Sequence, residues 1–345
     1  MSQQMIKNRS IVTIDDVGDD DLNEIFTAAE EMDKLIKSGK KISILESRIM
    51  CTLFYEPSTR TRLSFESAMH RLGGGVITMA DVKTSSVSKG ETLADTIRMA
   101  DAYSDVIVIR HPLEGAARLA SRFTSKPVIN AGDGSGQHPT QTIMDLYTIR
   151  KELGKIRGLK VTLLGDLKYG RTVHSLIKLL SLYENLHITL LNPPELALPG
   201  GLLDIVSRRG HRVDTCHNLA SVDGKVDIVY ATRIQKERFS DESIVSYTED
   251  YHVDQRFLSH VGDEHTVLMH PLPRDSATDA NDLSVSLNKD PRLAIFRQTD
   301  NGIPIRMALF ASILGVDKQI ERGFRPVGWW TPRAIGPDDT DFTAI

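Results

Sequence analysis

Apolar positions recur along this chain in two alternating rhythms. Short, largely apolar runs at residues 49–55, 76–79, 105–109 and 127–130 read as strands, 49–55 as a buried one, because a strand covered on both faces shows no polar side. Between them the spacing changes to that of a helix. Phe65, Ala68, Met69 and Leu72 fall at i, i+3, i+4 and i+7, and Gly73-Gly74-Gly75 stops that helix. Leu93, Ile97 and Ala100 mark a second helical face. Asp19-Asp20-Asp21 offers caps and first-turn acids to a helix over residues 22–36, and Ile143, Leu146 and Tyr147 begin one that runs to about residue 153. After the crossing at 154–158 the pattern restarts. Strands are predicted at 161–164, 188–191, 226–231 and 267–269, with Val173, Leu176, Ile177 and Leu180 as a helix face. Strands alternating with helices imply βαβ units. The expected fold is α/β, with two doubly wound domains of similar size, each a mostly parallel sheet flanked by helices. Residues 1–153 and 154–302 are the expected domains, and ligands should lie outside the carboxyl ends of the strands.

Bulk properties narrow this picture only a little. A chain of 345 residues suits two domains, and 40% hydrophobic with 26% charged residues is an ordinary globular composition. A formal charge of -4 gives no support to a nucleic-acid or membrane-surface role. No apolar run approaches the roughly 20 residues needed to cross a bilayer, and residues 1–10 have no apolar core of a signal peptide. The two cysteines, Cys51 and Cys216, form neither a zinc pattern nor a disulfide framework. Cys51, in the apolar run 49–55, reads as a buried reduced thiol, which fits a cytoplasmic location. There is no H-E-x-x-H or Cys/His cluster, and the Gly165-Asp166 turn lacks G-x-G-x-x-G, so neither a metal nor another cofactor is expected.

Chemistry concentrates first in Glu56-Pro57-Ser58-Thr59-Arg60-Thr61-Arg62, between a strand and a helix. Backbone N–H groups at a helix N-terminus favour an anion. Three hydroxyls and two guanidiniums add the right donors, since arginine forks pair with phosphate oxygens through parallel bonds. Spacing alone leaves open a polar cap with exposed arginines. Read alone, His138 is a solvated or capping loop residue, and Arg110 is a surface residue at a strand end.

Taken together, the motifs carry more. The run 54–73 with its S-T-R-T-R core closely resembles the carbamoyltransferase family. Ser85-Ser86-Val87-Ser88-Lys89-Gly90-Glu91-Thr92 resembles that family's mobile loop, and Arg110-His111-Pro112 and His138-Pro139-Thr140-Gln141 match further motifs. Residues 165–175, Thr232-Arg233-Ile234-Gln235-Lys236-Glu237-Arg238 and His270-Pro271-Leu272-Pro273-Arg274 are similar to the aspartate-specific branch. These motifs follow family order from about residue 14 to 314.

The resemblance implies transfer of the carbamoyl group of carbamoyl phosphate to the amino group of L-aspartate, an early step of pyrimidine synthesis. It implies that Ser58, Thr59, Arg60 and Thr61 clamp the phosphate. Thr61, Arg110 and His138 would meet the carbonyl oxygen, with Gln141 near the carbamoyl amide. Arg171, Arg233 and Gln235 would hold the carboxylates of aspartate, which is sensible because two carboxylates suit two guanidiniums. Pro271 and Leu272 would offer backbone carbonyls. Ser85 and Lys89 would reach into a neighbouring subunit, making a homotrimer with shared sites. Regulatory chains or other pathway enzymes are open as partners. A helix at about 303–315 would pack back on the first domain, and 316–345 is an extension of unknown role.

An ornithine carbamoyltransferase would share the first half, but that branch has a cysteine where Pro271 stands, and Lys168, Arg171, Arg233 and Gln235 suit an acidic substrate. A silent assembly homologue usually loses members of the constellation, and none of the mapped residues is missing here. Two departures remain. No glutamate follows His270-Pro271-Leu272-Pro273-Arg274 at the family spacing, which puts domain-closure details in doubt. Trp329 and Trp330, in the Pro- and Gly-rich stretch 323–341, predict a tail that docks.

Overall fold

The computed structural model of the chain describes residues 6–79, 86–222, 224–233, 251–274, 282–320 and 323–326. They form two compact units. One holds the residues up to Met144 and from Asp300 onward, and the other holds Asp145–Thr299.

In the first unit α1 (Asp19–Lys37) begins after Gly18, whose N–H donates to Asp21 Oδ2 at 3.0 Å. Three aspartates in its first turn and Lys34 and Lys37 in its last complement the helix dipole. Then come β1 (Lys40–Lys41), β2 (Ile49–Phe54), α2 (Thr59–Arg71), β3 (Gly75–Met79), α3 (Leu93–Tyr103), β4 (Val106–His111), α4 (Ala116–Ala120), β5 (Val128–Asp133) and α5 (Pro139–Leu153). The division between the units falls within α5. The sheet has four strands in the order β3-β2-β4-β5, every pair parallel. The segment before α1 extends its edge, where Ile11 N–H donates to Val128 O at 2.8 Å and Asn130 N–H donates to Ile11 O at 2.9 Å.

One face of this sheet is covered through Leu22, Ile25, Phe26 and Met32 of α1, Phe65 of α2 and the helix at Gly302–Ile313. Phe65 and Phe310 meet edge to face at 5.9 Å, and the Arg306 guanidinium lies 4.9 Å from the Phe65 ring centroid. Each of these buried aromatic or aliphatic side chains stabilises the fold by roughly 1.5–3 kcal/mol. The Gly302–Ile313 helix is buried along its whole length, so its composition is apolar all round rather than on one stripe. Arg325–Pro326 (β11) pairs antiparallel with β1.

The second unit contains β6 (Lys160–Leu164), α6 (Arg171–Leu180), β7 (His187–Leu191), α7 (Gly200–Arg208), β8 (Arg212–Cys216), β9 (Ile228–Ala231), α8 (Gln255–Val261), β10 (Val267–Met269) and α9 (Ile295–Asp300). Its five strands run in the order β10-β9-β6-β7-β8, again all parallel. A core that includes Leu164, Leu191, Val229, Ala231, Phe257, Leu258, Leu268 and Leu287 packs on it.

The fold is therefore α/β with two parallel sheets, as the alternating rhythm predicts. The differences have local causes. β8 is absent from the sequence prediction because Arg-Val-Asp-Thr-Cys has no apolar run. It is an edge strand, half exposed, and its place is set by pairing with β7. The strand predicted from 226 starts at Ile228. α5 starts at Pro139, ahead of its first apolar pair, because proline's fixed φ and missing N–H suit a first helical position. Cys51 and Cys216 are free, and burial pushes the Cys51 thiol up to about 11. No helix among the described residues is long and apolar enough to cross a membrane. The segment after Arg274 and the Trp329-Trp330 pair lie outside the described residues.

Candidate active site

In the first unit, three adjacent parallel strands end on chemistry-bearing loops. β2 ends at Phe54, paired with Arg110 of β4, and His111 is paired with Asp133 of β5. The loop after β2 delivers Ser58 as the N-cap of α2. Ser58 is extended (φ -161°, ψ 92°) and its hydroxyl makes no capping bond. No acidic residue stands in the first turn of α2, so the positive end of the helix has no local counter-charge. Thr59 and Arg60 are exposed and Thr61 is buried. Arg62 is turned to Glu66, with Nε 3.8 Å from Oε1.

Arg110 stands at the next strand end and is only 8% exposed. Its Nη1 donates to Ala131 O at 3.1 Å and its Nη2 lies 3.4 Å from Glu56 Oε2. Nε is buried with no hydrogen-bond partner among the described residues. Burial lowers its pKa, Glu56 raises it, and the neighbouring Arg60 guanidinium lowers it again. A buried arginine stays protonated all the same. The guanidiniums of Arg110 and Arg60 are opposed by the single carboxylate of Glu56, so net positive charge remains beside the helix N-terminus and an anion there lowers the energy.

His138 ends the loop after β5 and is buried, not solvated. Its carbonyl accepts from the N–H groups of Gln141 at 3.1 Å and Thr142 at 3.2 Å, so it starts α5 ahead of Pro139. The loop is tied by the buried Asp133. Its Oδ1 accepts from Asn130 Nδ2 at 2.9 Å and Gln137 N–H at 3.0 Å, and its Oδ2 accepts from Gly115 N–H at 2.9 Å. Gly134, at φ +50°, approaches the Arg110-His111-Pro112 turn so closely that a Cβ there would meet Pro112 O at 2.7 Å. The strand-end arginine and the loop histidine are thus joined through their backbones. Gln141 is buried in the first turn of α5. Lys89 sits exposed in a short 3-10 helix, Ser86–Lys89, and no hydrogen bond or ion pair links it to the Ser58 loop among the described residues. Ser85 lies outside the described residues.

The second unit repeats this arrangement with different residues. β10, β9 and β6 are neighbours, and Arg171, Arg233 and Pro271-Leu272 each follow one of them. Asp166 Oδ1 accepts from Lys168 N–H at 3.1 Å and Tyr169 N–H at 2.9 Å, a side-chain turn that leads into half-buried Arg171 at the start of α6. Arg233, half-buried, comes straight after Thr232 at the end of β9. Thr232 is pressed against Gly165, which has φ +111° and where a Cβ would lie 2.3 Å from Thr232 O. Pro271 and Leu272 are half-buried, Leu272 has φ +58°, and the Leu272-Pro273 peptide is cis. Gln235 lies outside the described residues.

Gly165 yields a direct prediction. Gly165→Ala must open the β6–β9 contact as well as bear a positive φ, so it is expected to lower stability by about 2–4 kcal/mol. Chemical denaturation checks this; an unchanged midpoint would show that Thr232 moves freely.

Several residues that brace these loops have no signal in the sequence. Asp133 gives no pattern beyond a polar loop, Glu56 passes as part of a motif, and Asp145, Tyr230, Gln298 and Asp282 look like ordinary helix, strand or loop positions. What assembles them is long-range. Tyr230 OH donates to Asp145 Oδ2 and Gln298 Nε2 donates to Asp145 Oδ1, both at 2.7 Å.

Known proteins share this design. The family model described as aspartate/ornithine carbamoyltransferase, carbamoyl-P binding domain, matches residues 9–151. The Asp/Orn binding domain model matches residues 157–313. The aspartate carbamoyltransferase catalytic subunit of Thermoplasma volcanium is 56% identical over 312 residues, covering 90% of this chain and 100% of that one. The structure of the catalytic subunit of Methanocaldococcus jannaschii aspartate transcarbamoylase superposes with a TM-score of 0.81 at 44% identity, covering 91% of this chain and 98% of that one. The Trypanosoma cruzi aspartate transcarbamoylase in complex with carbamoyl phosphate and aspartate gives 0.83 at 39% identity, covering 90% and 98%.

Proposed function

Because the chain belongs to the aspartate/ornithine carbamoyltransferase family and transfers the carbamoyl group of carbamoyl phosphate to the amino group of L-aspartate, we propose a division of labour between its two units. The first unit holds carbamoyl phosphate. Ser58, Thr59, Arg60, Thr61 and the first N–H groups of α2 receive the phosphate. Thr61, Arg110 and His138 donate to the carbonyl oxygen, and Gln141 meets the carbamoyl amide. The second unit holds aspartate, with Arg171, Arg233 and Gln235 on its carboxylates and the carbonyls of Pro271 and Leu272 on its amine.

The reaction explains why each group is needed. The amine nitrogen forms a bond to the carbonyl carbon, and charge grows on the carbonyl oxygen. The carbon–oxygen bond to phosphate then breaks. Nitrogen sheds a proton, and the departing phosphate, an anion, accepts it. Donors aimed at the growing oxyanion are worth about 3–4 kcal/mol each. Holding both substrates converts an encounter into a positioned attack, and exclusion of water strengthens every one of these bonds.

The observation that carries this reading is the buried Arg110, held by Ala131 O and Glu56 at a strand end next to the one that leads into α2, a helix with no acid in its first turn. The test is phosphate release with carbamoyl phosphate and aspartate, ornithine or no acceptor. Release with aspartate alone is expected, and turnover of ornithine instead would overturn the assignment of the second unit.

The active form proposed here is a homotrimer in the cytoplasm, with Ser85 and Lys89 serving a neighbour's site. The exposure of Lys89 and the absence of a link from it to its own Ser58 loop among the described residues support this. Mixing Lys89→Ala chains with Arg60→Ala chains is then expected to restore activity, because some mixed sites receive both intact residues. Mixed trimers as inactive as their parents would refute shared sites.

A further inference from the structure

The tripeptide His-Pro-Leu occurs in both units, as His111-Pro112-Leu113 starting on the last residue of β4 and as His270-Pro271-Leu272 directly after β10. In both, the leucine N–H donates to Nδ1 of the histidine two residues earlier, at 3.0 Å and 2.9 Å. The intervening proline has no N–H to compete. The histidine ring thus closes a tight turn, as an aspartate or asparagine side chain does in other loops.

The two turns differ in what holds the ring. His111 is half-buried and lies against Tyr55, with ring centroids 4.8 Å apart. His270 is 1% exposed, and its Nε2 donates to Asp282 Oδ2 at 2.7 Å. A neutral imidazole that accepts at Nδ1 carries its proton on Nε2, so the two bonds select one tautomer and one ring orientation. Asp282 is itself oriented, because its Oδ1 accepts from Leu283 N–H at 3.0 Å. The backbone is pinned as well. His270 N–H donates to Gln298 Oε1 at 3.1 Å, and Gln298 reaches the buried Asp145–Tyr230 pair. Of the two leucines only Leu272 has a positive φ, at +58°. That conformation is costly for a branched side chain and persists where the surroundings enforce it.

We propose that His270, held by Asp282, is a positioning residue for the amino-acid half of the reaction. It fixes the left-handed turn at Leu272 and so the directions of the Pro271 and Leu272 carbonyls. The inference rests on the reading that those carbonyls orient the attacking amine.

The test compares His270→Asn, His270→Gln, His270→Ala and Asp282→Asn in the full-length protein. Steady-state kinetics with aspartate, calorimetric binding of inorganic phosphate and thermal melting are measured for each. An asparagine places Oδ1 near the lost Nδ1 and can still accept the Leu272 N–H, whereas glutamine reaches the Nε2 position instead. His270→Gln and His270→Ala are expected to lower kcat/KM for aspartate by about tenfold to a hundredfold, with phosphate affinity unchanged. His270→Asn should recover most of the loss, and Asp282→Asn should fall between. Equal losses in all three His270 variants, in proportion to lost folded protein, would mean a purely structural ring and overturn the proposal. So would an unaffected His270→Ala enzyme. If the unsubstituted chain itself fails to turn over aspartate, the functional reading fails first and this inference falls with it.

Discussion

Arg110→Ala is expected to lower kcat by about a hundredfold to a thousandfold, the cost typical of losing one donor to a developing oxyanion. Arg110 is suited to a large effect because it is buried and already oriented. Ala131 O and Glu56 hold its two terminal nitrogens, and Nε is buried without a hydrogen-bond partner among the described residues. An oriented guanidinium need not reorganise as charge grows on the substrate. Lysine at this position keeps the charge but loses the fork, so Arg110→Lys should recover only a minor part. The substitution also removes the cation 3.4 Å from Glu56 Oε2, so Glu56→Gln combined with Arg110→Ala separates misplaced charge from lost donation. Steady-state kinetics beside a thermal melt checks this. A kcat within a fewfold of the parent, in a folded variant, would remove Arg110 from the reacting centre.

The second large effect belongs to the other unit. Arg233→Ala and Arg171→Ala are each expected to reduce kcat/KM for aspartate by roughly 2–4 kcal/mol, the cost of leaving a carboxylate without its charged partner. Most of this should appear as a raised KM for aspartate, while inorganic phosphate binds as tightly as to the parent. The separation follows from the fold. Arg171 and Arg233 follow β6 and β9 in the second sheet, whereas the residues proposed to receive the phosphate, Ser58, Thr59, Arg60 and Thr61, follow β2 in the first. Substrate binding by calorimetry and steady-state kinetics test it. Loss of phosphate affinity equal to the loss for aspartate would show that these arginines act on both substrates or on stability.

Legibility from sequence varied with the range of the interaction. Runs such as 49–55 and 105–109 announced β2 and β4 because both faces of a parallel sheet are covered. The polar edge strand β8 left no such trace. The Ser58–Arg62 loop suggested an anion site because its donors are adjacent in the chain, although spacing alone equally allowed a polar helix cap. His138 and Arg110 were not legible by themselves. Each reads as an ordinary polar loop residue until burial and neighbours are known, and only the resemblance singled them out. The supports around them, Asp133 beneath the His138 loop and Asp282 beside His270, had no local signature at all.

The sequence by itself therefore determined the alternation of strands and helices, the family and, through the family's motifs, the residues proposed for the site. These depend on residues close together in the chain or on recognisable strings. The tertiary structure decided which strand ends are neighbours, that Arg110 and His138 are buried, and that Arg110 lies between Ala131 O and Glu56. It also decided that His270 has one tautomer and Leu272 a left-handed backbone. Those properties arise from hydrogen bonds, desolvation and Coulomb forces between residues far apart in sequence, which come into being only when the sheets have formed.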